Sequence, residues 1–186
     1  MDFKAIDNSG NELSVNKKDI NTWEISGADK LYKLTYKIDD TFGDTTGASI
    51  FEPVGTSIEK DIVFVMNNHG FYGYFSNYQS NDYILNFKKP AGFYGSTSLI
   101  NELRTEDEDI FTASDYNFLV DNPIMYSIPD TTSINYDETK VMVSVYSPGK
   151  GMTSKDISIE LKKVLDAIRV FLGGKFSADR YTFLFY

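Results

Sequence analysis

The chain has 186 residues, of which 41% are hydrophobic and 15% aromatic, so it can bury a sizeable core. Its formal net charge of −9 argues against nucleic acid and anionic membrane as partners. Cysteine is absent, which excludes disulfides and thiolate chemistry, and the sequence has no stretch of about 18 apolar residues that would predict a membrane span.

The chain up to about Ser147 carries a β pattern. Its strand-like pieces are "LYKLTYKID" (31–39), "DIVFVM" (61–66), "DYILNF" (82–87) and "KVMVSVY" (140–146). The first piece alternates and predicts Tyr32 and Leu34 on one face, whereas the second is apolar throughout, as in a strand buried on both sides. Short strands separated by turn-rich pieces predict a mainly β fold, either an antiparallel β-sandwich or a saddle-like sheet.

The pattern changes after "SPGKG" (147–151), where an amphipathic helix is predicted. Thr153 and Asp156 have the spacing of a capping box, and Gly173 with Gly174 predicts the end of the helix. The apolar positions at helical spacing are Ile157, Leu161, Val164, Leu165, Ile168, Phe171 and Leu172. "YTFLFY" then predicts a strand, too apolar to be half exposed.

This order predicts two parts. Residues 1–150 form an N-terminal β domain, and residues 151–186 supply the first helix and strand of a second domain. We expect the apolar C-terminal end to mark a cut in a longer protein. We expect this segment, residues 152–186, either to pack on the β domain or to self-associate with a neighbouring chain, since its strand has an unpaired edge and a face meant for burial.

Several catalytic sites are excluded by the residue types. A catalytic zinc site needs two or three His or Cys ligands, and this chain has one His, His69, and no Cys. The sequence contains no G-x-S-x-G elbow, no phosphate loop and no G-x-G-x-x-G fingerprint. A carboxylate pair for glycoside hydrolysis stays open, although the sequence singles out no such pair. We assign no catalytic residue, no metal ligand and no cofactor to this chain.

Two acidic runs, "DDTFGD" (39–44) and "EDED" (106–109), offer oxygen ligands of the kind that calcium prefers. Neither has the spacing of an EF-hand loop. In an acidic protein a solvated turn is the more economical interpretation, and we predict solvated turns for both.

The segment "NNHGFYGYF" (67–75) is the most unusual one in composition. It follows the most apolar strand and supplies the candidate residues Asn68, His69, Tyr72 and Tyr74. One interpretation is a pocket wall, with aromatic faces for a peptide or sugar and polar groups for directed hydrogen bonds. The other, which we favour, is a glycine-permitted bulge or turn whose aromatic residues enter the core.

A family resemblance rests on six segments taken in order. They are "FEPVGTSIE" (51–59), "FVMNNHGFYGYF" (64–75), "KPAGFYGSTSL" (89–99), "DYNFLVDNPIMYS" (115–127), "KVMVSVYSPGKG" (140–151) and "FLGGKFSADRYTFLFY" (171–186). Together they resemble the N-terminal part of the glycyl aminopeptidase family of zinc metallopeptidases, especially its bacterial members. The resemblance is weakest before about residue 30.

The resemblance implies a β-rich N-terminal domain in front of a thermolysin-like catalytic domain, often followed by a PDZ domain. The family's zinc motif lies in the catalytic domain, so the implied zinc belongs to the parent enzyme and none of its ligands maps onto this chain. The parent would be a zinc aminopeptidase, whereas this chain alone would not be catalytic. A bacterial, exported protein is expected, periplasmic or at the cell surface, with its signal peptide outside this sequence.

The implied role of the N-terminal domain is to pack on its own catalytic domain and to limit which peptides reach the cleft. In family order "LVDNPIMY" (119–126) lies near the domain junction, so Asp121, Asn122 and Tyr126 join the candidate cleft or interface residues. A structural turn, with Asp121 as a cap and Pro123 fixing the backbone, is the competing interpretation. The alternative function is a free-standing carbohydrate- or peptide-binding β-sandwich module.

Overall fold

The structure is a computed structural model that describes residues 3–42, 55–149 and 151–186. Contacts within the chain divide it into two units, Met1–Asp39 and Asp40–Tyr186, which are described separately. Within the described ranges, no helix is long and apolar enough to cross a membrane.

The first unit consists of short antiparallel strands. They are β1 (Lys4–Asp7), β2 (Glu12–Leu13), β3 (Val15–Lys17), β4 (Trp23–Ile25) and β5 (Leu31–Thr35), with a 3-10 helix at Ala28–Lys30. The order β2-β1-β5 forms one sheet, and β3 pairs with β4. Ala5 is fully buried, and the ring of Phe3 stacks on those of Trp23 and Tyr36.

The predicted face of β5 is wrong at Tyr32, whose side chain is 74% exposed. Ile6 pairs with Lys33 but Asp7 pairs with Leu31, so Tyr32 is the extra residue of a β-bulge. A bulge breaks the period of two, and simple alternation therefore misplaces this side chain.

The second unit contains a four-stranded antiparallel sheet in the order β6-β7-β12-β9. Its strands are β6 (Ser57–Glu59), β7 (Val63–Met66), β9 (Tyr94–Ser96) and β12 (Ile124–Ser127). The strand predicted to be buried on both sides is β7, an inner strand of this sheet, whose Val63, Val65 and Met66 are at most 7% exposed.

A second antiparallel sheet, in the order β10-β11-β8, shares its core with the first. Its strands are β8 (Tyr83–Lys88), β10 (Ile100–Arg104) and β11 (Glu108–Ala113). Short helices in the described part of this unit are α1 (Asn68–Phe71) and α2 (Tyr116–Val120). Met66, Leu85, Phe111 and Leu119 lie in one buried cluster, so both sheets and α2 close over the same apolar interior.

The last part of the second unit is a β-α-β arrangement. Its elements are β13 (Thr131–Asn135), β14 (Lys140–Val145), α3 (Ser154–Phe171) and β15 (Arg180–Phe185), with sheet order β13-β14-β15. Strands β14 and β15 are parallel, and α3 is the crossover between them. Val141 and Leu165 lie in one buried cluster, against which Phe183 packs, so α3 covers one face of this sheet.

Both ends of α3 are as predicted. The Thr153 hydroxyl accepts from the Asp156 N–H, and the Asp156 carboxylate accepts from the Thr153 N–H at 3.0 Å, which completes the capping box. Gly173 and Gly174 have φ of 83° and 98°, a conformation that only glycine adopts at little cost.

The predicted fold class is confirmed: the protein is mainly β, its strands pair antiparallel except for β14 with β15, and it ends in one long helix and one strand. The C-terminal strand packs with its helix on the β region, as expected, through the ladder between β14 and β15. The domain boundary placed between 1–150 and 151–186 stays a prediction.

Candidate interface site

The corner between α1 and α2 brings together two segments that the sequence singled out separately. The side-chain amide of Asn68 donates to the carbonyl of Leu119 at 2.9 Å and to that of Asn122 at 2.7 Å. Asn68 is fully buried. Because β7 and β12 are paired, with Met66 opposite Ile124, residues just outside both strand ends meet at one edge of the sheet.

Side-chain caps hold the corner in place. The Asn67 carboxamide oxygen accepts from the His69 N–H at 3.2 Å and begins α1. The Asp115 carboxylate accepts from the Phe118 N–H at 2.8 Å and begins α2. The sequence predicted a structural turn here with Asp121 as its cap. A side-chain cap is present, but Asp115 provides it. Asp121 is the C-cap residue of α2 and its side chain is exposed.

The candidate residues of the first segment divide into buried and exposed groups. Asn68 is buried, and Tyr72 packs partly buried against the core. The favoured interpretation, a glycine-permitted bulge or turn, is wrong in its geometry, because residues 68–71 form helix α1 and the glycines of the segment have no positive φ. His69 is exposed, and Tyr74 is 51% exposed. The Tyr74 ring meets the ring of Tyr116 edge-on at 4.7 Å, so its position is fixed although it faces solvent.

Tyr126 lies in a different environment from the corner. It is on β12, only 3% exposed, with its ring 5.5 Å from that of Phe87. Burial, and next the Asp109 carboxylate, raise the pKa of Tyr126. Its hydroxyl forms no hydrogen bond of standard geometry with any described residue. The structure thus places Tyr126 in the interior, away from any surface that a peptide could touch directly.

Beneath Tyr126 lies a buried ion cluster that the sequence interpretation missed. Asp109 is fully buried, and its carboxylate accepts from Arg104 Nε at 2.9 Å. Lys89 Nζ lies 3.9 Å from the same carboxylate and donates to the carbonyls of Phe93 and Thr105. The prediction of a solvated turn for residues 106–109 is therefore wrong at Asp109.

Alternation was the signal that could have located Asp109. On β11 the buried residues are Asp109, Phe111 and Ala113, with a period of two. Their common face turns toward the core, so a carboxylate on it must be paired to be stable. The other acidic run, residues 39–44, lies partly outside the described residues.

The backbone of Gly95 packs directly against this ion cluster and the Tyr126 ring. A Cβ atom at this position would lie 2.8 Å from the ring of Tyr126 and 2.9 Å from Asp109 Oδ2. The Gly95 carbonyl also accepts from Arg104 at 2.8 Å. The close approach of the Gly95 backbone therefore requires glycine.

Zinc does not fit the donor groups described here. The one His of the chain, His69, is exposed on a four-residue helix. No group of three or more His, Cys, Asp or Glu side chains that could hold a metal ion occurs in residues 3–42, 55–149 and 151–186. We therefore assign no zinc ligand to these residues.

A second candidate surface lies on α3. One side of the helix is buried through Leu165, which is 5% exposed. The neighbouring side presents an apolar stripe to solvent, formed by Val164, Ile168, Phe171 and Leu172, with exposures of 55%, 41%, 89% and 50%. We call these four residues the α3 stripe. It lies within residues 152–186, the segment expected to associate.

The family model for the peptidase M61 N-terminal domain matches residues 1–128. The chain belongs to this family. The peptidase M61 N-terminal domain assignment confirms the coarser part of the resemblance, an accessory N-terminal domain of a peptidase. No curated protein matches the chain.

A solved structure supports the fold of this peptidase M61 N-terminal domain. The crystal structure of an aminopeptidase N family protein from Idiomarina loihiensis superposes with a TM-score of 0.74 at 16% sequence identity. The match covers 99% of this chain and 30% of that chain. At this identity the likeness establishes the fold alone, and the chain spans about a third of the length of its solved relative.

Proposed function

We propose that this chain is the non-catalytic N-terminal β domain of a bacterial, glycyl aminopeptidase-like zinc metallopeptidase. In this proposal it packs on the catalytic domain of the same protein and helps to shape the cleft that admits peptides. The family match and the fold of the aminopeptidase N family relative support the class. Zinc and the catalytic groups belong to the peptidase domain.

The α3 stripe is the observation that carries the proposal. An amphipathic helix on the surface of an isolated domain normally exposes polar groups on its outer side. Here Phe171, at 89% exposure, and three branched neighbours expose a contiguous apolar strip. Burial of each such side chain against another domain contributes about 1.5–3 kcal/mol, so the stripe suits a permanent packing surface.

The first test asks where catalysis and zinc lie. The 186-residue chain should neither hydrolyse Gly- or Ala-anilides nor bind zinc stoichiometrically. A longer protein that also contains the peptidase domain should do both. Zinc-dependent turnover by the 186-residue chain alone would overturn the proposal.

The second test asks whether the α3 stripe is the packing surface. In the longer protein, Val164→Asp should loosen the two domains and lower kcat/KM for a Gly-anilide. Val170→Asp is the matched control, because Val170 is 79% exposed on the other flank of the same helix. Equal effects of the two substitutions would contradict the assignment of the stripe.

We assign the exposed side of the α1–α2 corner to the cleft margin. His69, Tyr74 and Asp121 face solvent there, on a backbone that the buried Asn68 fixes. In the longer protein, Tyr74→Ala should raise KM for peptides with little change in kcat, because a margin residue binds substrate and transition state alike. If the single Ala substitutions of these three residues all left KM unchanged, the corner would not be part of the cleft margin.

A second candidate function rests on exposed aromatic residues beside the corner. Tyr74, Phe75 and Tyr78 are between 51% and 58% exposed, which suits stacking on a sugar or an aromatic peptide side chain. A free-standing binding module would bind glycans or peptides saturably and lose that binding in Tyr74→Ala. Tyr72→Ala is a poor probe, since Tyr72 packs against the core and its removal would destabilise the fold.

A further inference from the structure

A cavity of about 240 Å³ lies in the second unit between β9–β11 and the β14–β15 ladder. Two contacts join its walls: Ser98 donates to the Thr182 hydroxyl at 2.9 Å, and the Tyr94 hydroxyl lies 3.9 Å from the Met142 sulfur. We propose that this cavity is a binding site for a small oxyanion such as phosphate or a dicarboxylate.

The walls of the cavity carry positive charge. Arg104, Lys140 and Arg180 line it, and none of the lining residues is acidic. This is unusual in a chain with a formal net charge of −9. Lys140 and Arg180 make no ion pair with any described residue, so their charges are not neutralised within the described part of the chain.

Strand alternation places both cations, which are exposed residues, on the face of the ladder that lines the cavity. Lys140 and Arg180 are direct partners in the β14–β15 ladder, and two residues later Met142 and Thr182 are partners as well. Side chains two residues apart on a strand share a face. Since Met142 and Thr182 contact the opposite wall, Lys140 and Arg180 project from the same face.

Arg104 supplies a positioned third cation. Its Nε binds Asp109 and one terminal nitrogen binds the Gly95 carbonyl, while its guanidinium lies 3.8 Å above the Tyr94 ring. A guanidinium has five N–H donors, so donors remain for a ligand on the cavity side. The buried carboxylate thus holds Arg104 in place, and the two strand cations provide the net positive charge.

The size of the cavity selects a small ligand. Its volume is below the roughly 300–1,000 Å³ of pockets that enclose drug-sized molecules. At about 30 Å³ per water, it holds an oxyanion together with a few waters. Converging guanidinium and ammonium donors recognise phosphate and carboxylate oxygens through charge-assisted hydrogen bonds.

The test is calorimetric titration of the 186-residue chain with inorganic phosphate and, separately, with malonate at constant ionic strength. One-to-one binding of either anion supports the site, and the anion that binds identifies its class. The double variant Lys140→Gln/Arg180→Gln should weaken binding by about tenfold or more, because it removes both unpaired charges. Lys33→Gln is a control that removes one charge from an exposed strand lysine of the first unit, which does not line the cavity, and it should bind like the parent.

Two results would overturn the proposal: binding of neither anion, or equal weakening by Lys33→Gln and by the double variant. Amide chemical shifts locate the bound ion independently of affinity. Phosphate or malonate should shift the amides of residues 94–97, 140–142 and 180–182, and shifts confined to other residues would also refute the site. The site does not depend on the proposed peptidase role, so the two can fail separately.

Discussion

Replacement of Asp109 by alanine tests the buried ion cluster. The carboxylate is fully buried, and Lys89 beside it is 5% exposed, so the substitution leaves a cation in the interior without its counter-charge. Removal of one partner from a buried pair costs about 3–5 kcal/mol. Arg104 is 26% exposed and would keep its hydrogen bond to the Gly95 carbonyl. Solvent and this hydrogen bond would therefore offset part of the free energy lost with the Asp109 carboxylate. We therefore expect Asp109→Ala to lower the free energy of unfolding by about 3 kcal/mol, the lower end of that range.

The assay is urea unfolding followed by far-UV circular dichroism. Fluorescence is less suitable, because the single tryptophan, Trp23, lies in the first unit. Glu106→Ala is the control, since Glu106 is exposed in the neighbouring turn and should change the free energy of unfolding by less than about 0.5 kcal/mol. A cost below about 1 kcal/mol for Asp109→Ala, the range of exposed ion pairs, would refute the reasoning.

Three further predictions concern single positions. Gly95→Ala should destabilise the protein by about 1–3 kcal/mol in urea unfolding, because the added Cβ meets the Tyr126 ring and Asp109 at under 3.0 Å; a neutral result would contradict this contact. Thr153→Ala should cost about 1 kcal/mol by the same measurement through loss of the α3 cap, and Thr153→Ser should restore most of it. The raised pKa of Tyr126 means that above about pH 10 the unfolded chain gives up this proton more readily than the folded protein, so stability falls as pH rises. Tyr126→Phe should therefore lessen the alkaline loss seen in thermal unfolding at a series of pH values; an unchanged loss would show that Tyr126 ionises equally in both states.

Local sequence signals were sufficient for α3. The capping residues and the two glycines at its end act within a few residues of their own positions, so spacing alone specifies where the helix begins and ends. The apolar spacing also predicted the helix correctly, but it grouped all apolar residues on one face. In the structure they divide into a buried face and an exposed stripe. Leu165 is buried and Phe171 is 89% exposed, a distinction that depends on which side of the helix meets the sheet.

The α1–α2 corner could be predicted only in part. Composition singled out both segments, yet the bonds from Asn68 to Leu119 and Asn122 join residues more than fifty positions apart. The ladder between β7 and β12 brings them together, and pairing of non-consecutive strands is not encoded in either segment. Tyr126 was predicted to lie near the cleft because it belongs to the same short segment as Asp121 and Asn122. Its position on β12 instead directs its side chain into the core.

The buried ion cluster around Asp109 could not be recognised from the charge pattern of the sequence. Four consecutive acidic residues suggested solvent, although only alternation distinguishes Asp109 from its neighbours. The basic partners Lys89 and Arg104 both precede the run in the chain, one in a loop after β8 and one at the end of β10. Their convergence depends on the three strands of the sheet β10-β11-β8 and could not be inferred from spacing.

The packing of the α3 stripe on a peptidase domain is most directly tested by cysteine labelling. The chain has no cysteine, so Phe171→Cys and Val170→Cys each create a single reactive thiol at an exposed helix position. In the 186-residue chain both should react with a maleimide at similar rates. In a longer protein that includes the peptidase domain, we predict that Cys at position 171 reacts more slowly, by about tenfold or more, while Cys at position 170 stays reactive. Equal, fast labelling of both positions in the longer protein would contradict the account.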